Sequence, residues 1–317
     1  MTLPHSPAFV GVDVGKHDLV LAHHGQPGVA TYPNTASGIA ALARSLACDG
    51  PAHVALEATG GYEWPLWEAL DAVGISVRQV APAEVRAVAR SRGSRAKTDA
   101  IDAQTIADFA AFRPEAGRRL SPESVRDLKA LVAARRQRVT DKKRVHTRSL
   151  RTTSDDLHAL DEDYLRLLTA QIAQLDTRIA AQIRACPDLA RAARLLSSIP
   201  GVGPVLTATL LAEMPELGRI SGKAAAALTG LAPIARDSGK LRGQRSIAGG
   251  RRHVRQVAYM AATVARTHNP DLAAFFTRLQ DHGMPHKKAA CATARKLIVL
   301  ANSVLKRGTP WQPNAPT

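Results

Sequence analysis

Four carboxylates stand where chemistry at phosphorus is possible. Asp13 follows a short apolar run in Gly11-Val12-Asp13-Val14-Gly15-Lys16, and Glu57 ends another in Leu56-Glu57-Ala58-Thr59-Gly60-Gly61-Tyr62. Asp99 and Asp102 lie three apart in Lys97-Thr98-Asp99-Ala100-Ile101-Asp102, which sets both on one side of a helix that Thr98 can cap. Acids that end buried strands project from a sheet rim and can converge there. Gathered carboxylates repel one another unless a cation neutralises them, and an all-oxygen set selects Mg²⁺ or Mn²⁺. Two such ions about 4 Å apart clamp the attacking and leaving oxygens of an in-line displacement at phosphorus. Any one of these acids is more simply a surface charge, a helix cap or an ion-pair partner. The ordered set favours the metal site.

A hydroxyl in a cationic loop is a second candidate. Asp237-Ser238-Gly239-Lys240 precedes Arg242, Arg245, Arg251 and Arg252, cations that would stabilise charge if Ser238 attacked phosphorus. Serines in glycine loops are more often turn formers, and Ser246 is a rival. Upstream, Arg135, Arg136, Arg138, Lys142, Lys143, Arg144, Arg148 and Arg151 crowd one segment with only Asp141 opposing them. They encircle a helix rather than line one stripe, a pattern suited to the nucleic-acid backbone with no base specificity. Ser198-Ile199-Pro200-Gly201-Val202-Gly203-Pro204 has the form of a helix-hairpin-helix turn, in which Gly201 and Gly203 let backbone N–H groups approach a phosphate. An ordinary turn between helices with a glycine cap has the same look.

The elements that must position these groups follow from periodicity. Short strands at 9–12, 18–22 and 29–32 form a meander, followed by a helix at 37–47, a strand at 53–56, a helix at 63–73 and a strand at 75–80. Strands alternating with helices imply a mixed α/β sheet. From Ser121 the pattern is helical to about residue 152 and again over 160–185, where Tyr164, Leu168, Ile172, Leu175, Ile179 and Ile183 recur on one stripe. Together they predict an antiparallel hairpin or coiled coil, with subunit contact favoured. The expected domains are 1–120, 121–190 as a basic helical connector, and a mainly helical 191–317 with a loose tail after Gly308. The Asp-x-Gly turn at Asp13 also suits actin-like ATPases and sugar kinases, but the later matches, Asp237-Ser238-Gly239 and Asp281-His282-Gly283, sit among helices rather than after strands.

Composition narrows the class. The 317 residues are 45% hydrophobic but only 4% aromatic, so cores must be built on Ala, Leu, Val and Ile. A net charge of +16 asks for a polyanionic partner, with DNA or RNA first. Cys48, Cys186 and Cys291 are too far apart for a metal cluster and fit a reducing cytoplasm. No apolar run is long enough to span a bilayer, so a protein off the membrane is expected.

The order Gly-Val-Asp-Val-Gly-Lys, Glu-Ala-Thr-Gly-Gly-Tyr, Lys-Thr-Asp-Ala-Ile-Asp-Ala, Ser-Ile-Pro-Gly-Val-Gly, Gly-Leu-Ala-Pro with Asp-Ser-Gly-Lys, and Tyr259-Met260-Ala261-Ala262 resembles the DEDD transposases of the insertion-sequence-110 family, which includes the Piv-type invertases. The resemblance spans nearly the whole chain. It implies an α/β ribonuclease-H-like (RuvC-like) N-terminal domain carrying metal acids at Asp13, Glu57, Asp99 and Asp102. It further implies a coiled-coil connector and a C-terminal transposase domain with a nucleophile at Ser238 that forms a transient phosphoserine link to DNA. Members are guided by a structured RNA from the element's non-coding end, so double-stranded DNA, guide RNA and a homo-oligomer, dimer or tetramer, are the expected partners. The expected location is the cytoplasm, at the nucleoid. After Arg245 the segment Ser246-Ile247-Ala248-Gly249-Gly250-Arg251 departs from the Ser-Lys-Arg-Gly form of some members and resembles the family's second branch.

Overall fold

The structure is a computed structural model that describes residues 8–50, 52–57, 59–91, 93, 98–235, 243 and 245–313. The chain divides into two compact units, Met1–Leu120 and Ser121–Thr317.

The first unit runs β1 (Ala8–Val14), β2 (Asp18–His23), β3 (Ala30–Pro33), α1 (Ala36–Cys48), β4 (Ala52–Glu57), α2 (Trp64–Ala72), β5 (Ser76–Val80), α3 (Pro82–Ser91) and α4 (Asp99–Phe112). Its sheet has the order β3-β2-β1-β4-β5. The β1–β2 and β2–β3 pairs are antiparallel, and β1–β4 and β4–β5 are parallel. Alternation sorts the residues onto two faces. Val10, Val12, Val14, Leu19, Leu21, Val54 and Leu56 point to one, where Leu42 and Leu46 of α1 and Leu66 and Leu70 of α2 cover them. Each of these leucines, almost wholly out of water, contributes about 1.5–3 kcal/mol of burial. The other face carries the smaller residues Ala22 and Ala55 and is covered by α4, through Ala103, Ile106 and Phe109, with Val85 of α3 beside them.

The second unit is almost wholly helical: α5 (Glu123–Ser149), α6 (Asp155–Ala185), α7 (Pro187–Ser197), α8 (Pro204–Glu213), α9 (Gly222–Leu228), β6 (Pro233–Ile234), β7 (Ser246–Ile247), α10 (Arg252–His268), α11 (Pro270–Asp281) and α12 (His286–Arg307). α5 and α6 run antiparallel, as the pairings Arg148 with Asp161, Arg138 with Gln171, Arg135 with Asp176 and Ser124 with Gln182 show. α6 begins at Asp155, ahead of the expected 160, with Asp155 and Asp156 in its first turn, where negative charge suits the helix N-terminus. On the expected stripe Leu168 and Ile179 are buried, while Tyr164 is exposed, together with Leu157, Leu160 and Leu167. Residues at the base of this pair share one core with the helices that follow: Leu128, Val132 and Ile179 pack in the same cluster as Leu196, Leu206, Val254 and Leu297. α12 ends at Gly308 in the left-handed region, φ 68°, which spares a side chain the steric cost there. Among the described residues no helix is long and apolar enough to cross a membrane.

Candidate functional site

The last registered pair between the parallel strands β1 and β4 is Val12 with Leu56. Asp13 and Glu57 are therefore the next residues on neighbouring strands, which run about 4.8 Å apart. By alternation both share the face of Gly11 and Ala55, the face that α4 crosses. The crossing is close: a Cβ on Gly11 would lie 2.2 Å from the Ala103 carbonyl oxygen and 2.2 Å from the Ala107 nitrogen. Farther along α4, the Gln104 side chain donates to the His23 carbonyl at 3.4 Å, and Asp108 meets His24 Nδ1 at 2.7 Å. His23 pairs with Val10, at the beginning of β1. α4 thus runs antiparallel to β1, and its first turn lies over the strand ends that carry Asp13 and Glu57.

That first turn holds Asp99 and Asp102. The Thr98 hydroxyl accepts from the Ile101 N–H at 3.3 Å, the cap expected from the sequence. The helix N-terminus also favours the two negative charges there. Asp13, Glu57 and Asp102 are half-buried and Asp99 is exposed. Strand register and the crossing of α4 thus bring the backbone at all four acids to the same end of the sheet. Among the described residues no three His, Cys, Asp or Glu side chains are drawn together tightly enough to enclose a metal ion, and Asp13 and Glu57 each engage an interaction partner.

A fifth acid, Glu63, was not singled out in the sequence. It precedes α2 and is 3% exposed. Its Oε2 accepts from the Thr59 N–H at 3.3 Å, the Thr59 hydroxyl at 3.3 Å and the Gly61 N–H at 2.8 Å. Its Oε1 accepts from the Gln79 amide at 2.9 Å. The available signal was an acid two residues beyond a Gly-Gly pair, where a turn needs its N–H groups satisfied. Asn34 adds a second tie, donating to the Gly15 carbonyl at 2.9 Å and to the Tyr62 carbonyl at 3.3 Å. It joins the turn after Asp13 to the chain after Glu57.

In the second unit the basic helix is less free than the sequence suggests. Arg135 pairs with Asp176, Arg136 with Glu213, Arg148 with Asp161 and Arg144 with Asp141. Hydrogen bonding to Arg148 holds the Asp161 carboxyl below the usual carboxylate range. Arg138 donates to Gln171, while Lys142 is half-buried and Lys143 exposed. The two glycines of the 198–204 turn differ. Gly201, at φ 95°, backs onto α10, where a Cβ would come within 2.4 Å of Ala265, whereas Gly203 has open space around it. Between α5, α6, α8 and α10 lies a groove of about 720 Å³ lined by Val132, Ile179, Thr207 and His253. Burial pushes the His253 pKa down; Glu213 pulls it up, and Arg136 and Arg135 lower it further.

Ser238, Lys240 and Arg242 lie outside the described residues. The strands on either side, β6 and β7, pair antiparallel. The base of this ribbon is held against α9 and α10: the Arg251 N–H donates to the Leu228 carbonyl at 2.7 Å, and the Arg255 guanidinium donates to the Gly249 carbonyl at 2.7 Å. Arg251 also forms a two-pronged pair with Glu216. Arg245 and Arg252 are exposed.

Residues 10–158 match a transposase family model, the DEDD type of IS110. Residues 193–277 match the transposase family IS116/IS110/IS902. Pilin gene-inverting proteins of Moraxella bovis and Moraxella lacunata are each 29% identical over 322 residues, covering 96% of this chain and 98% of theirs. An uncharacterised 43.6 kDa protein of insertion element IS110 from Streptomyces coelicolor is 28% identical over 141 residues, 44% of this chain and 35% of that protein. Two successive matches to one family, the first running from the sheet through α5 and the second within the helices that follow, are joined by relatives that run the full length: the chain belongs to the IS110 family of transposases and is a DNA transposase or recombinase.

Proposed function

We propose that the chain cuts and rejoins DNA by phosphoryl transfer at a Mg²⁺ or Mn²⁺ site formed by Asp13, Glu57, Asp99 and Asp102. The carrying observation is the common corner of these acids: two in register on adjacent strands and two in the first turn of a helix that crosses the same face. The donor set fits a hard divalent ion, being all carboxylate oxygen. Bound there, the ion would neutralise the charge that builds on the phosphoryl oxygens. The strand order, with an antiparallel trio leading into two parallel strands, supports a RuvC-like reading of this unit.

Ser238 is the proposed nucleophile. Its hydroxyl displaces a strand end from phosphorus and leaves a phosphoserine ester, so that the broken backbone stays attached to protein until it is rejoined. The cations of its neighbourhood, Lys240, Arg242, Arg245 and Arg252, hold the phosphate, while Lys142, Lys143 and the open turn at Gly203 serve backbone contacts with DNA or a structured guide RNA. The relatives named for gene inversion make excision, insertion or inversion of a DNA segment the natural outcome. Exposed Leu150, Leu157, Leu160 and Leu167 on the far half of the α5–α6 hairpin support contact with a second copy. The work would be done in the cytoplasm, at the nucleoid.

The test is a strand-transfer assay on an element-bearing plasmid. Asp102→Asn and Ser238→Ala should each lower recombination at least a hundredfold while leaving nucleic-acid binding within a few-fold. Denaturing gels should reveal a protein-DNA adduct that Ser238→Ala removes. Cleavage that persists without an adduct would favour a metal-dependent nuclease or junction resolvase in which water attacks.

A further inference from the structure

We propose that Glu63 is a positioning residue for Glu57: its buried carboxylate fixes the chain that follows Glu57 and thereby aims that acid into the four-carboxylate corner. The inference rests on the four-acid reading of the site.

Glu63 cannot itself join the corner. Both of its oxygens are engaged, and Gln79, its partner, alternates with Val80 and so belongs to the opposite face of the sheet from Glu57. What it does is close a chain of fixed polarity. The Arg118 guanidinium, which only donates, gives a hydrogen bond to Gln79 Oε1 at 2.7 Å. Gln79 must then offer its amide N–H₂ to Glu63. At the other end the Thr59 and Gly61 N–H groups also only donate. Position 63 therefore needs two acceptors, and a carboxylate supplies both.

The ends of this chain bracket Glu57. Gln79 sits in register with Leu56, and Val80 with Glu57; Thr59 and Gly61 follow Glu57 along the backbone. Arg118 is locked to the same strand by two backbone hydrogen bonds with Gln79, each 2.9 Å. Asn34 ties Tyr62, the neighbour of Glu63, to Gly15 beyond Asp13. A buried acid is a costly way to close a turn. Here that cost is offset by four hydrogen bonds to the Glu63 carboxylate.

The polarity argument specifies its own rescue. Glu63→Gln leaves one donor facing another, either toward Gln79 or, if Gln79 flips, toward Arg118. Adding Gln79→Glu resolves both: the amide introduced at 63 accepts from Thr59 and Gly61 and donates to the new carboxylate at 79, which accepts from Arg118. The experiment titrates the full-length chain with Mn²⁺ alone, following free Mn²⁺ by electron paramagnetic resonance, with thermal melts alongside. Glu57→Gln serves as the reference for the corner. Expected are a loss of Mn²⁺ affinity of about 10-fold or more for Glu63→Gln and a return to within about 3-fold of wild type for Glu63→Gln/Gln79→Glu, at a melting temperature matching wild type. Wild-type affinity in a folded Glu63→Gln protein overturns the positioning role. A double variant that is unfolded, or folded but still weak for Mn²⁺, overturns the polarity chain and the proposal with it. Equal Mn²⁺ binding by wild type and Glu57→Gln would instead sink the four-acid reading.

Discussion

At Gly11 the absence of one carbon sets the distance between a helix and a sheet. A Cβ there would meet the Ala103 and Ala107 backbone at 2.2 Å, and neither can move without carrying Asp99 and Asp102 along. Gly11→Ala should destabilise the first unit by about 1–3 kcal/mol, read as a drop of several degrees in its melting temperature, and weaken Mn²⁺ binding in step. Unchanged stability would mean that α4 does not seat on Gly11. His253 offers a second residue-level handle. Burial lowers its pKa in the folded chain, so folding favours the neutral ring. Its contribution is therefore fully present above the ordinary histidine value of about 6.5 and is lost as pH falls below it, where the unfolded chain takes up the proton first. His253→Gln should flatten the decline of melting temperature as pH falls below about 6.5; a decline as steep as wild type would put its origin elsewhere.

Among the elements, α4 is the one whose start matters most. Thr98→Ala removes the cap from the Ile101 N–H and should cost about 1 kcal/mol. Hydrogen exchange at Ile101 and Asp102 should accelerate, while Thr98→Ser should behave as wild type. Exchange unchanged in Thr98→Ala would show that the cap adds nothing. Much of this architecture is legible in the sequence. β1, β2 and β4 are short apolar runs buried on both faces, so each could be located, and the 99–102 spacing with Thr98 ahead of it pointed to the helix start. α3 was missed because Val85 is its one buried residue, too little to print a stripe. β6 and β7, two residues each, are too short for any period. The arginines of α5 looked unopposed because their partners Asp161, Asp176 and Glu213 lie 13, 41 and 77 residues away. Glu63 escaped notice because its task is defined by Gln79 and Arg118, which only the folded sheet brings beside it.

For the whole molecule, a net charge of +16 overstates what any single helix offers a phosphate. Arg135, Arg136 and Arg148 already hold carboxylates, whereas Lys143 is exposed. Lys143→Gln should therefore make the slope of log K against log salt shallower by about 0.9 for duplex DNA. Arg135→Gln should leave that slope alone and lower the melting temperature instead. Fluorescence anisotropy over a KCl series checks both, and reversed effects would reassign the contact. Each unit also has its own core, so a lesion in one need not unfold the other. Under the proposed function, a copy broken only around Gly11 would keep the basic hairpin and its grip on nucleic acid while its acid corner is impaired. Such a copy is a competitor to its intact siblings: as mobile copies accumulate and decay in a genome, their defective products should restrain the active ones, a dominant brake visible when Gly11→Ala is co-expressed with wild type and recombination falls.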